Sequence, residues 1–176
     1  MRPRVLIRSA LAPLAVIAMF GCGSKEPEFE VLGIKPDSTT LDSVRQIHPS
    51  LECDRLLRLG IRPLLPNYKE CSVDNVEVAK IRSSLKVEVN KGGVVTAVTL
   101  HGEPYDGPFI NWSKAMTEKY GPAAGEERSD PVWNGSNGKA ILTKTRNGGA
   151  MLLFQGKRWQ QDMETLNRNV EKGQKF

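Results

Sequence analysis

The chain has 176 residues, with 25 Lys and Arg against 20 Asp and Glu, a net charge of +5 and a hydrophobic fraction of 39%. Three of the basic residues, Arg2, Arg4 and Arg8, lie before an apolar run near the start, and the other 22 nearly balance the 20 acidic ones. Binding to nucleic acid requires a concentrated basic surface, so this balance argues against a nucleic-acid partner.

The first residues have the pattern of an export signal. Arg2, Arg4 and Arg8 form a positive start, and the apolar run from Leu11 to Phe20 is shorter than the roughly 20 residues of a spanning helix. We therefore expect residues 1–21 to be a signal peptide and residues 22–28, which are polar and contain Pro27, to be a flexible tether. Residues 29–176 are expected to form a single domain.

Met19-Phe20-Gly21-Cys22 resembles the bacterial lipobox, in which a small residue precedes a cysteine that is acylated and becomes the new N-terminus. The resemblance implies a lipoprotein with palmitate or a similar acyl group on Cys22. The resemblance also implies that the protein is anchored at the periplasmic face of the cell outer membrane. In such lipoproteins an Asp directly after the cysteine favours retention in the inner membrane, and this chain has Gly23 at that position. The alternative is an ordinary secretory signal that is cleaved elsewhere and leaves Cys22 unmodified.

Two other cysteines, Cys53 and Cys71, are expected to form a disulfide bond, because an oxidising compartment favours pairing. Free thiols, or a zinc site completed by His48 and His101, are the alternatives. The segment between the cysteines is rich in leucine but broken by Gly60, Pro63 and Pro66, which predicts an irregular apolar loop.

The first half of the domain predicts a strand, a helix and a hairpin. Phe29 to Ile34 alternates like a strand, and a helix is expected from Leu41 to His48 after several N-cap candidates. Leu85–Val89 and Val94–Leu100 flank Asn90-Lys-Gly-Gly93, which indicates an antiparallel hairpin.

The second half repeats this plan. A helix is expected from Phe109 to Tyr120, with Ile110 and Trp112 toward the core, and a hairpin is expected from residues 140–145 and 150–154. An amphipathic helix follows over residues 158–171. The fold class predicted is α+β: an antiparallel sheet made of hairpins with helices packed on one face, with two tandem helix-hairpin units as a further hypothesis.

These elements resemble two known scaffolds. The residues that carry the resemblance are Phe29-Glu-Val-Leu-Gly-Ile34, the capped helix with Val44, Glu118-Lys-Tyr-Gly-Pro122, and Trp133 followed by a hairpin. They are similar to small envelope lipoproteins of the β-barrel assembly accessory type and to the tandem helix-hairpin scaffold of the β-lactamase inhibitor protein. The resemblance implies a protein that binds another protein of the envelope.

Few side chains in the sequence are suited to catalysis or metal binding, so no catalytic residue, metal ligand or cofactor is assigned. His48 and His101 are the two side chains that titrate near neutrality, and His48 is interpreted as a helix C-terminal residue. The acidic residues Glu126, Glu127 and Asp130 are interpreted as a solvated loop. No nucleophile elbow, phosphate-binding loop or zinc-protease motif occurs in the sequence.

A binding function is therefore predicted, with Tyr105 and Trp133 as the partner-binding residues. Tyr105 lies in the Gly- and Pro-rich loop 102–108, whereas Trp112 and Trp159 are expected in the core. The primary hypothesis is a non-enzymatic, lipid-anchored periplasmic protein with a role in envelope assembly or maintenance. The alternatives are an inhibitor of an exported hydrolase, such as a lysozyme or protease, and an envelope enzyme that uses His48 or His101.

Overall fold

The computed structural model describes residues 26–53, 65, 68–127 and 129–172. Within these residues the α+β prediction is confirmed, because strands of one antiparallel sheet pack against separate helices. The helices are α1 (Leu41–Ile47), α2 (Pro108–Tyr120) and α3 (Lys157–Glu171). The strands are β1 (Glu52–Cys53), β2 (Lys69–Val78), β3 (Ile81–Val89), β4 (Val95–Gly102), β5 (Gly125–Glu127), β6 (Asp130–Gly135), β7 (Gly138–Lys144) and β8 (Ala150–Gly156).

The sheet consists of two meanders joined at their last strands. Its order is β1-β2-β3-β4-β8-β7-β6-β5, and every neighbouring pair is antiparallel. Each meander is preceded by one helix, α1 before β1–β4 and α2 before β5–β8. The described fold thus has the tandem arrangement that the two hairpins indicated.

The strand expected over residues 29–34 is replaced by a tight turn. Val31 and Ile34 form an isolated bridge, and Leu32 and Gly33 between them have φ values of 51° and 75°. Phe29, Val31 and Ile34 are nevertheless buried. Their alternating pattern reflected contact with the core rather than extended backbone, and so the strand prediction was wrong.

One face of the sheet, here the α2 face, holds the main hydrophobic core. The buried side chains of Val87, Leu100 and Leu152 lie there, together with Val44 of α1 and Trp112 of α2. The indole Nε1 of Trp112 donates a hydrogen bond to the carbonyl oxygen of Val78 at 3.2 Å. The prediction that Trp112 is a core residue is confirmed.

The opposite face, here the α3 face, carries a smaller cluster beneath the C-terminal helix. Ala97 points away from its neighbour Val98, because successive side chains of a strand alternate, and it packs with Trp159 of α3. Helices α1 and α2 therefore pack on one face of the sheet, as predicted, whereas α3 packs on the other face. Trp159 is buried there, as the sequence predicted for a core residue.

Charged groups lie under α3 within this second cluster. Glu88 is only 4% exposed and accepts a hydrogen bond from Trp159 Nε1 at 2.7 Å. Lys86 Nζ lies 2.9 Å from a Glu70 carboxylate oxygen and 3.9 Å from Glu88. Burial raises the pKa of Glu88 above its usual value, although Trp159 and Lys86 act in the opposite direction.

The predicted disulfide joins Cys53 to Cys71. The two residues lie directly opposite each other on β1 and β2, and Cys71 is fully buried. Strand β1 has only two residues and pairs with one neighbour, and the disulfide adds a covalent link between the two strands. The loop predicted between the cysteines lies mostly outside the described residues.

Removing the disulfide should destabilise the fold. We expect the double change Cys53→Ser and Cys71→Ser to lower the free energy of unfolding by about 3 kcal/mol, because the bond closes a loop with a sequence separation of 18. Urea unfolding with and without a reductant measures this. The reductant should lower the midpoint of the wild type and leave the double variant unchanged; an unchanged wild-type midpoint would contradict a structural role.

Glu88→Gln should stabilise the protein at alkaline pH. Because the folded-state pKa of Glu88 is raised, stability falls as the pH rises from the pKa of an unfolded glutamate to that of Glu88, and the loss is complete above the latter. The amide of a glutamine avoids this loss and still accepts the Trp159 hydrogen bond. The stabilisation should therefore be largest near pH 8 and should shrink as the pH falls toward the pKa of an unfolded glutamate. Urea unfolding at several pH values measures it, with exposed Glu126→Gln as the control. A uniform shift across pH would contradict the argument.

Candidate functional site

Several turns meet at one end of the sheet, here called the Tyr105 end. They are the β2–β3 turn at Ala79 and Lys80, the β4–α2 loop at residues 103–107, and the β7–β8 turn at residues 145–149. The β4–β8 register places the last residue of β4, Gly102, opposite the first residue of β8, Ala150. Antiparallel pairing thus fixes these turns beside one another.

Tyr105 projects from this end on a short and restrained loop. It lies in a 3₁₀ helix, Pro104–Asp106, and its side chain is 95% exposed. The loop is bounded by Pro104 and Pro108, whose rings limit the backbone. At its base, a Cβ atom on Gly102 would approach Pro108 to 2.6 Å, so α2 can start this close to β4 only because residue 102 is a glycine.

A polar depression of about 450 Å³ lies next to Tyr105. Its lining residues carry charges of both signs: Glu77, Lys80, Arg82, Glu103, Tyr105 and Asp106. The backbone nitrogen of Glu103 donates to the carbonyl oxygen of Arg82 at 3.5 Å, which ties the loop to β3. Tyr105 is thus an exposed aromatic ring next to charged side chains of both signs.

The structure corrects the prediction that Trp133 binds a partner. Trp133 is 2% exposed, and its Nε1 donates to the carbonyl oxygen of Gly121 at 2.9 Å. On β6 its side chain faces the α2 face, where it belongs to the main core. The adjacent Asn134-Gly135 suggested an edge position, but β6 is covered by β5 on one side and β7 on the other.

Ile110 is an exposed side chain that the sequence analysis placed in the core. It is 75% exposed on the first turn of α2, two residues before the buried Trp112. A helix turns by about 100° per residue, so residues 110 and 112 point in nearly opposite directions. The spacing of Trp112 and Met116 at i and i+4 marked the buried face and would have excluded Ile110 from it.

The two histidines do not form a common site. His48 ends α1, where its backbone N–H donates to the carbonyl oxygen of Val44, and burial lowers the pKa of its imidazole. His101 lies on β4 with its side chain on the α3 face, and its pKa is lowered by partial burial and by Lys86, against the effect of Glu70. Within residues 26–172 as described, neither imidazole hydrogen-bonds to a carboxylate.

The acidic residues expected in a loop lie instead on strands, Glu126 and Glu127 on β5 and Asp130 at the start of β6. Glu127 forms an ion pair with Lys139 at 2.6 Å, and Asp130 accepts a hydrogen bond from the hydroxyl of Thr143 at 2.7 Å. In the part of the chain that the structure describes, no three potential metal ligands cluster together. The loop prediction was therefore wrong, although Glu126 and Glu127 are exposed to solvent on the edge strand.

Residues 27–29 join the body at the opposite end of the strands, here called the tether end after the tether predicted for residues 22–28. The carbonyl oxygen of Pro27 accepts a hydrogen bond from Ser136 N at 2.9 Å, and Phe29 N donates to Asn137 Oδ1 at 2.8 Å. A Cβ atom on Gly135 would come within 2.5 Å of the Pro27 oxygen, so this approach also requires a glycine. Cys22 itself lies outside the described residues.

None of the helices described here has the length and hydropathy needed to cross a bilayer. Comparisons with protein-family models, curated proteins and solved structures gave no significant match. The resemblance to assembly-accessory lipoproteins and to the β-lactamase inhibitor scaffold therefore stays a prediction.

Proposed function

We propose that this chain is a non-enzymatic, lipid-anchored protein of the bacterial envelope that binds another envelope protein through its Tyr105 end. The observation that carries the proposal is the opposite placement of the tether and of Tyr105. Residues 27–29 attach beside the β6–β7 turn, whereas Tyr105 follows the far end of β4. An anchor at the tether end would present Tyr105 away from the membrane.

The dimensions of the sheet support this arrangement. Strand β4 has 8 residues, and at about 3.4 Å per residue it separates the two ends by about 24 Å. An acyl chain on Cys22 would be connected to the body by the few residues before Phe29. The tether end would then lie next to the bilayer, with the Tyr105 end directed into the periplasm toward partners at a distance from the outer membrane.

The properties of Tyr105 support a protein partner. A tyrosine offers a large contact area with only two side-chain torsions to restrict, and such residues often contribute much of the binding free energy of an interface. Tyr105 already lies on a restrained loop, so little backbone entropy would be lost on binding. Envelope assembly or maintenance is the broad role that we assign.

Lipid attachment at Cys22 is the first testable part of the proposal. In cells supplied with labelled palmitate, we expect the protein to incorporate label and to fractionate with membranes. Cys22→Ser should lose both properties. The double change Cys53→Ser and Cys71→Ser is the matched control, because it removes thiols without touching the proposed acylation site and should retain the label. Absence of label from the wild-type protein would contradict both the lipid anchor and the proposed membrane localisation.

Partner binding through Tyr105 is the second testable part. A photo-reactive residue at position 105 should crosslink a specific envelope protein, and Tyr105→Ala should weaken its capture by at least about 30-fold, as expected for a binding hot spot. Because Tyr105 is almost fully exposed, this change should alter stability by no more than about 0.5 kcal/mol. Ile47→Ala, an exposed aliphatic change on α1, is the control and should leave capture unchanged.

The identity of the captured protein separates the hypotheses. Components of outer-membrane barrel assembly would support the primary proposal. Retention of a soluble exported hydrolase would favour the inhibitor, in which Tyr105 inserts into a cleft. Equal capture by the wild type and Tyr105→Ala would contradict Tyr105 as the contact.

A further inference from the structure

A second large apolar side chain is exposed close to Tyr105 in the chain. In the part of the chain that the structure describes, the exposed large hydrophobic side chains are Ile47, Tyr105, Ile110 and Val170. Tyr105 at 95% and Ile110 at 75% are the two most exposed of them, and both belong to the segment that links β4 to the start of α2. Single exposed hydrophobic residues are normal on a protein surface, whereas a group of them marks an interaction site.

The outer side of α2 has a shallow depression at Ile110, with a volume of about 390 Å³. The residues that line it are Phe109, Ile110, Ser113, Lys114, Thr117 and Glu118. Its polar side chains already have partners within the helix. Thr117 Oγ1 donates to the carbonyl oxygen of Ser113 at 2.8 Å, and Lys114 Nζ lies 3.8 Å from a carboxylate oxygen of Glu118. The apolar surface of Ile110 is therefore what this depression offers to another molecule.

Hydrogen bonds restrain the backbone between Tyr105 and Ile110. Asn111 Nδ2 donates to the carbonyl oxygen of Asp106 at 2.9 Å, and Asn111 N donates to that of Gly107 at 3.2 Å. The two exposed side chains are thus carried by a backbone that is already ordered. Binding through both of them would lose little backbone entropy.

One interface of ordinary size is large enough to include both side chains. Five residues of fully extended chain span at most about 18 Å, and the chain turns between Tyr105 and Ile110, which shortens the distance. A standard interface covers about 800 Å² of each partner, which corresponds to a patch roughly 30 Å across. A protein that binds around Tyr105 can therefore also cover the outer side of α2.

The charges around this surface favour a protein over an anionic bilayer. The charged residues from 103 to 118 are Glu103, Asp106, Lys114 and Glu118. On the other side of Tyr105, Lys80 and Arg82 share the polar depression with three acidic residues. Anionic lipids attract clusters of Lys and Arg, and no such cluster surrounds Ile110. In a symmetric dimer through this surface, the acidic residues of one copy would lie close to those of the other.

We infer that Ile110 is a second hot spot of the interface at Tyr105, and that the partner covers the outer side of α2 with an apolar, uncharged segment packed on Phe109 and Ile110. The inference rests on the proposed function, because the partner is the protein that binds Tyr105. The apolar side chains form the centre of the interface, and the polar depression with Lys80 and Arg82 forms part of its rim.

Crosslinking in cells tests whether one partner covers both side chains. Photo-reactive residues are placed singly at positions 105, 110 and 170, and position 170 is the control because Val170 is exposed on α3. We expect positions 105 and 110 to crosslink the same envelope protein, and the peptide crosslinked from position 110 to be apolar and uncharged. Position 170 should not crosslink that protein.

The pattern of crosslinks separates this inference from the proposed function. A partner crosslinked from position 105 but not from position 110 would overturn the inference and leave the proposed function intact. Different proteins crosslinked from the two positions would overturn the shared interface. Crosslinks from neither position would overturn the proposed function and the inference together.

Binding measurements test whether Ile110 contributes to affinity, with the protein that position 105 captures as the purified ligand. Ile110→Ala should weaken binding at least about fivefold, whereas Ile110→Leu, which keeps a side chain of the same volume, should retain most of the affinity. Val170→Ala removes an exposed aliphatic side chain elsewhere and should leave binding unchanged. Equal affinity of Ile110→Ala and the wild type would overturn Ile110 as a hot spot.

Two measurements on the purified Cys22→Ser protein, which has no acyl chain at that position, test the other occupants of the surface. We expect no retention on vesicles of phosphatidylethanolamine and phosphatidylglycerol, and no self-association through Ile110 in analytical ultracentrifugation. Vesicle binding that Ile110→Ser abolishes would overturn the inference in favour of a lipid contact. A dimer that Ile110→Ser dissociates would overturn it in favour of a second copy of the chain.

Discussion

The pairing of β4 with β8 is the interaction on which the rest of the structure depends. These are the last strands of their meanders, and their register from Ala97–Gln155 to Gly102–Ala150 turns two four-stranded units into one sheet. Each unit alone would expose its final strand as a long edge, which proteins normally avoid. Because α2 follows β4 and α3 follows β8, the same antiparallel pairing starts the two helices at opposite ends of the molecule.

The central pairing also explains why charged residues lie in the interior. Leu85-Lys-Val-Glu-Val89 alternates apolar and charged residues, and in a hairpin with one open face Lys86 and Glu88 would face water. In the whole sheet that face is covered by α3, and Glu88 is buried against Trp159. An isolated buried carboxylate would be strongly unfavourable, and the indole N–H and Lys86 offset part of that cost.

Local elements were predictable from the sequence where one signal dominated. The helical spacing of apolar residues such as Trp112 and Met116 predicted α2, and the turn sequence Asn90-Lys-Gly-Gly93 predicted the first hairpin. The presence of two further cysteines in a chain with an expected export signal predicted the disulfide. The burial of Trp133 and the placement of α3 were not predictable, because both depend on which strands become neighbours across the two halves. The exposure of Tyr105 followed from its loop composition, but the joining of three turns beside it required the β4–β8 register.

The β4–β8 pairing also leaves the sheet with two ends that have different surfaces. At the tether end, Gly135 admits the incoming chain and Asn137 binds both the N–H and the carbonyl of Phe29. At the other end, Gly102 lets α2 turn back so closely that Tyr105 is directed outward. Both approaches are fixed by contacts to strands of the same rigid sheet. The separation between Tyr105 and Phe29 is therefore set by the strands that run between the two ends.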